Sequence, residues 1–150
     1  MKRRIYIWAI ILFAVIALGF YGVHEYFRPN EDMSALKEMC RISATNIVHE
    51  FEGNDSVAGK KYIGKIIVVL GKIKEVEKDE KGYCTLVLGD DAIMSSVRCS
   101  VDTTRTKEAI GMQKGNNISV KGILTGYNAD ATGLLGSDVQ LSRCIFLTEK

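Results

Sequence analysis

Apolar and polar positions are spread unevenly along the chain, and the first contrast is the sharpest. Residues 5–23 contain no charged side chain and read Ile-Tyr-Ile-Trp-Ala-Ile-Ile-Leu-Phe-Ala-Val-Ile-Ala-Leu-Gly-Phe-Tyr-Gly-Val. As a helix this run spans about 28 Å, close to the hydrocarbon thickness of a bilayer, and predicts one transmembrane signal-anchor helix. Tyr6 and Trp8 near one end and Tyr21, Tyr26 and Phe27 near the other suit the two headgroup interfaces. Lys2, Arg3 and Arg4 make residues 1–4 a basic cytoplasmic tail, so the rest of the chain is expected outside the cytoplasm, on a bacterial-type inner membrane crossed once. The competing reading is a cleaved signal peptide, since Ala17-Leu18-Gly19 places small residues at cleavage-like spacing. Either reading exports the domain.

Residues 24–33 form a polar linker with the only proline, Pro29, and the folded domain is expected over 34–150. Leu36, Met39/Cys40, Ser43, Ile47 and Phe51 recur every three or four residues, predicting one helix over 34–52. Asn54 or Asp55 can cap a short second helix ending near Tyr62. Strand patterns follow. Over 65–77, Ile67, Val69, Gly71 and Ile73 share a face, both faces are apolar before Gly71, and a glycine in so long a strand signals a bulge or bend. Further strands are predicted over 83–88, 95–101, 118–127 and 138–147, with a short helix over 104–112. Val97, Cys99 and Val101 alternate with Ser96, Arg98 and Ser100, which implies one buried and one wet face. The predicted class is therefore mainly β with an N-terminal helix: a five-stranded oligonucleotide/oligosaccharide-binding (OB) barrel with a helix between its third and fourth strands. A small β-sandwich could use the same strands, but the bent first strand suits barrel closure better.

Composition and charge narrow the function. The 150 residues are 47% hydrophobic and 25% charged with 14 Gly, a globular make-up that excludes disorder and a multidomain enzyme. The net charge of +2 comes from the basic tail, because residues 24–150 hold 17 basic against 18 acidic side chains, a balance of −1. That balance disfavours a dedicated nucleic-acid binder, whose affinity rests on cations meeting phosphates.

Asn54-Asp-Ser-Val-Ala-Gly-Lys-Lys-Tyr62-Ile-Gly-Lys65, Val69-Leu-Gly71-Lys-Ile73, Val97-Arg-Cys99, Lys114-Gly115, Val120-Lys-Gly122, Gly126-Tyr127 and Leu141-Ser-Arg-Cys144 together resemble the tRNA_anti-like group of OB-fold proteins, over roughly residues 36–147. The resemblance implies the OB fold and an N-terminal export or membrane segment, and it implies no particular activity. One departure is that the stretch Gly122-Ile123-Leu124 lacks a cysteine that relatives often place there. Four cysteines, Cys40, Cys84, Cys99 and Cys144, sit in a chain expected in an oxidising compartment, where disulfides form. Of the three pairings, the resemblance points to a disulfide between Cys99 and Cys144; the alternative is that each thiol is a small buried hydrophobe.

No cofactor, metal or catalytic set is expected. There is no Cys-x-x-Cys, His24 and His49 have no partner at motif spacing, and Glu75/Glu77 and Asp90/Asp91 read as solubilising charges. Gly111, Gly115, Gly133 and Gly136 match neither dinucleotide nor phosphate-loop patterns. OB barrels commonly bind extended ligands on their second and third strands, and here that face offers Tyr83, Thr85, Ser96, Arg98 and Ser100. Lys78, Lys81, Asn128 and Asp130 would flank it, while Lys60, Lys61, Lys65, Lys72 and Lys74 are diluted by the acids that follow. The expectation is a membrane-anchored, non-enzymatic binding module of the cell envelope, in contact with the bilayer through 5–23 and with an unknown protein, glycan or peptide. The alternatives are a single-stranded or tRNA-like nucleic-acid binder and a structural, protein-interaction part of an envelope complex.

Overall fold

The computed structural model describes residues 13, 15–22, 32–132 and 134–147, and the chain divides into two compact units, 1–31 and 32–150. In the first unit, residue 13 and residues 15–22 are helical. The rest of the expected 5–23 span and His24 lie outside the described residues. Among the described residues no helix is long and apolar enough to cross a membrane.

The second unit runs β1 (Cys40–Ser43), α1 (Ala44–Gly53), α2 (Asp55–Tyr62), β2 (Ile66–Lys78), β3 (Cys84–Leu88), β4 (Ser96–Val101), a 3-10 turn (Thr103–Arg105), α3 (Thr106–Ile110), β5 (Asn117–Asn128) and β6 (Asp138–Leu147). The sheet order is β1-β2-β3-β4-β6-β5, and β5 returns to pair with β2. Five strands thus close a barrel, as expected, and β1 is an addition lying parallel to the first half of β2. The helix expected over 34–52 is corrected here: 40–43 is strand and the helix begins at Ala44. Ser43 sets that boundary, its backbone extended and its hydroxyl accepting from the Asn46 amide at 3.2 Å. Asn54 ends α1 and caps α2, accepting from the Val57 amide at 3.1 Å.

β2 works as two half-strands. Residues 66–72 pair with β5, residues 73–78 pair with β3, and the register slips between Ile73 and Glu75. Gly71 stands just before the change of partner, where a Cβ would lie 2.9 Å from that of Ala44 and 3.3 Å from that of Leu88. The strand therefore bends at the slip, and the glycine lets α1 approach. Ile47 and Phe51 of α1 are sealed into the same core as Ile67, Val69, Leu86, Leu88, Val97, Leu124 and Leu141. Phe51 lies between Tyr127, stacked at 4.8 Å between ring centroids, and Tyr62 at 6.3 Å.

β6 contains a second irregularity. Arg143 has φ 53°, and opposite it the pairing with β5 jumps from Lys121/Ile145 to Ile123/Ser142. The extra residue resets the alternation, so that Leu141 and Cys144 both face the core although three positions apart.

Candidate functional site

The outward face of β2, β3 and β4 is built by cross-strand register. Glu77 stands opposite Thr85 and Thr85 opposite Ser100, giving one polar row across three strands. In the next row Glu75, Val87, Arg98 and Gln140 are successive partners. Arg98 pairs diagonally with Glu77, its guanidinium donating to the carboxylate. Tyr83 sits in the turn before β3 and is 55% exposed. That turn is tied by Asp79, which accepts from the Lys81 amide at 2.6 Å and the Tyr83 amide at 3.3 Å. Tyr83, Thr85, Arg98 and Ser100 therefore belong to one accessible region. Ser96 does not: it is buried, and its hydroxyl donates to Asp138, its partner in the parallel β4–β6 pair. In these two rows Glu75 and Glu77 are two carboxylates against the one cation Arg98.

Asp130, expected as a flanking loop contact, instead organises its loop. Its carboxylate accepts from the Thr132 hydroxyl at 2.6 Å and amide at 2.8 Å, and from the amides of Leu135 at 2.7 Å and Gly136 at 2.9 Å. The Thr132 hydroxyl first, then these amides, hold the carboxyl well below its usual range. A lowered folded pKa means that the brace is fully present above the ordinary carboxylate range and is lost only as pH falls through the lowered value. The Leu135 and Gly136 amide resonances should therefore stay in place while ordinary carboxylates titrate. Asp130→Ala should displace them at every pH; unchanged resonances in that variant would refute the brace.

A hydrogen-bonded chain joins this loop to the β3–β4 loop and α1. Ser95 donates to Glu52 at 2.6 Å, the Ser137 amide donates to Ser95 Oγ at 3.0 Å, and the Asp130 amide donates to Ser137 Oγ at 3.1 Å. Sequence reading missed this junction because its parts come from positions 43 and 42 residues apart. It also missed a cleft of about 610 Å³ where β2, β5 and β6 pass α3, walled by Leu70, Met112, Ile118 and Phe146. The cleft draws on four elements, and no linear pattern links them.

Cys99 and Cys144 are brought together in the core as free thiols. Burial pushes the Cys144 thiol well above its usual range, and its contact with Cys99 adds to the shift. Cys84 is buried and Cys40 half-buried, both as free thiols. Among the described residues no His, Cys, Asp and Glu cluster is arranged to hold a metal ion. His49 is exposed on α1.

Comparison with known proteins adds to this geometry. A family model described as tRNA_anti-like matches residues 1–137. Among solved structures, a lipoprotein of Klebsiella pneumoniae subsp. pneumoniae, provisionally described as nucleic acid-binding, is similar over 81% of this chain and 100% of its own, with 14% identity and a TM-score of 0.57. An OBody, AM3L09, bound to hen egg-white lysozyme is similar over 60% of this chain and 88% of its own, with 14% identity and a TM-score of 0.44. Asparaginyl-tRNA synthetase from Pyrococcus horikoshii is similar over 60% of this chain and 21% of its own, with 16% identity and a TM-score of 0.40. No curated protein matches.

Proposed function

The chain belongs to the tRNA_anti-like family, and from that premise we propose that it is a non-enzymatic OB-fold binding module, anchored by its N-terminal helix and facing the cell envelope. The observation that carries the binding reading is the polar row Glu77, Thr85 and Ser100, with Arg98 beside it and Tyr83 exposed two residues before Thr85. Such a face offers hydrogen bonds and one ring to an extended ligand, and OB barrels use this surface for recognition. The anchor reading is supported by the helical residues before the barrel. Phe13, Val15, Ile16, Leu18, Phe20 and Tyr21 are each 59% to 77% exposed. At helical spacing these side chains fall all round the axis, a pattern suited to lipid rather than to water. In that orientation the ligand is a protein, glycan or peptide of the envelope, and residues 5–23 are the contact with the bilayer.

A second reading, binding of single-stranded nucleic acid, is favoured by the description of the Klebsiella pneumoniae lipoprotein, whose fold is similar. Against it stand the balance of −1 over residues 24–150 and an Arg98 already paired with Glu77. The test is titration of the full chain in nanodiscs with labelled oligothymidylate at two salt concentrations. The envelope reading expects no saturable binding. Saturable binding that weakens steeply with salt and is lost in Tyr83→Ser or Arg98→Ala would replace it.

Export also bears on the thiols. The proposed Cys99–Cys144 disulfide forms when an exported disulfide donor accepts two electrons and the two thiols release two protons. The chain made in an oxidising compartment should then be two hydrogens lighter than the reduced one, with those cysteines linked in the peptide map. Alkylation of both as free thiols after export and unfolding would refute the bridge.

A further inference from the structure

The junction of α1 with the β3–β4 and β5–β6 loops carries four exposed aliphatic side chains. Ile93 is 43%, Met94 65%, Leu134 71% and Leu135 82% exposed. The two pairs are neighbours. Gly136, at φ 78°, packs so closely that a Cβ there would lie 2.5 Å from the Met94 carbonyl carbon and from the Ser95 nitrogen. The support beneath is ordered: the Glu52–Ser95–Ser137–Asp130 chain links the loops, and Lys74 donates to the Ile93 carbonyl at 2.6 Å. Exposed aliphatic groups on an ordered platform mark an interaction surface more often than scattered ones do.

Charge decides what covers it. Beside Ile93 is a cavity of about 60 Å³, also lined by Val48, His49, Glu52, Asp90 and Ser95. Glu52 and Asp90 bring two carboxylates to this cavity; the nearby Lys74 ammonium, held by the Ile93 and Met94 carbonyls, keeps its charge and offsets one of them, leaving one negative charge in excess. Nucleic acid and anionic lipid headgroups would meet repulsion there.

We infer that this junction docks a partner-protein segment in which a lysine or arginine adjoins aliphatic side chains: the aliphatic groups cover Ile93, Met94, Leu134 and Leu135, and the cation reaches Glu52 and Asp90. The inference rests on the binding-module reading and names the partner class. The experiment uses the full chain in zwitterionic nanodiscs, with a labelled leucine–lysine peptide, its leucine–glutamate counterpart and empty discs as the baseline. Above that baseline the lysine peptide should bind and the glutamate peptide should not. Glu52→Gln with Asp90→Asn, which keeps oxygen acceptors for Ser95 and the Ala92 amide, should weaken binding about tenfold and flatten its salt dependence. Leu134→Ser with Leu135→Ser should weaken it about tenfold with the salt slope unchanged. Equal binding of both peptides, binding untouched by all four substitutions, or no binding above empty discs would overturn the inference. Failure of the anchor reading shows separately, as a chain that does not enter the discs, and the same titrations then run on that chain in solution.

Discussion

Phe51→Ala should be among the most damaging substitutions in the barrel unit, costing about 3–5 kcal/mol of stability. The ring is 1% exposed and held between Tyr127 and Tyr62, so truncation removes aromatic contact on both sides and leaves a void between α1 and the barrel. Neighbouring groups have little freedom to collapse into it. Tyr62 is held by its hydroxyl, which donates to Glu50 at 3.1 Å, and Ile47, one turn away on α1, is itself fully buried. A thermal melt should show the midpoint falling by about 10 °C or more for a unit of this size. Phe51→Leu, which keeps most of the volume, should recover much of the loss. A melt unchanged by Phe51→Ala would mean that α1 is not part of the core.

Lys121→Met should have the next largest effect, and its signature is local. Lys121 is only 3% exposed, and its ammonium donates to the carbonyls of Leu36 and, at 3.4 Å, Ser34, with Glu38 at 3.7 Å. One side chain of β5 thus fastens the stretch 32–39, the arm leading into the barrel, where Met33 is also buried. Methionine fills similar space but leaves two carbonyls without their donor, while Glu38 keeps only its pair with Arg41, a loss of about 2–3 kcal/mol. Hydrogen exchange should quicken over residues 33–39 while β2, β3 and β4 remain protected. Uniform acceleration through the barrel, or none, would contradict the role of a fastening.

Much of this architecture was legible from residue patterns, and the failures have local causes. The five barrel strands and the two-faced apolar character of β2 follow from alternation and from the uncharged stretch before Gly71. β1 was hidden because Met39/Cys40, Ser43 and Ile47 fall at helical spacing. Ser43, a residue type that starts helices, was the overlooked signal. Cys144 reads as out of phase with Leu141 until the backbone of Arg143 turns positive in φ, a change that no alternation rule reports. On the candidate face, Thr85, Arg98 and Ser100 follow from strand phase, but the burial of Ser96 depends on its parallel neighbour Asp138. The same parallel pairing of distant segments brings Met94 and Leu135 to one surface, so their exposure together could not be read from the linear order.

We propose a binding barrel held outside the cytoplasm by its own N-terminal helix. The most direct test places a tag at the C-terminus, expresses the chain in a bacterial host and adds protease to intact spheroplasts. The tag should be removed while the membrane stays sealed, and untreated protein should retain residues 1–23. Protection of the tag until lysis would contradict it, return the thiols to a reducing compartment and put nucleic-acid binding first.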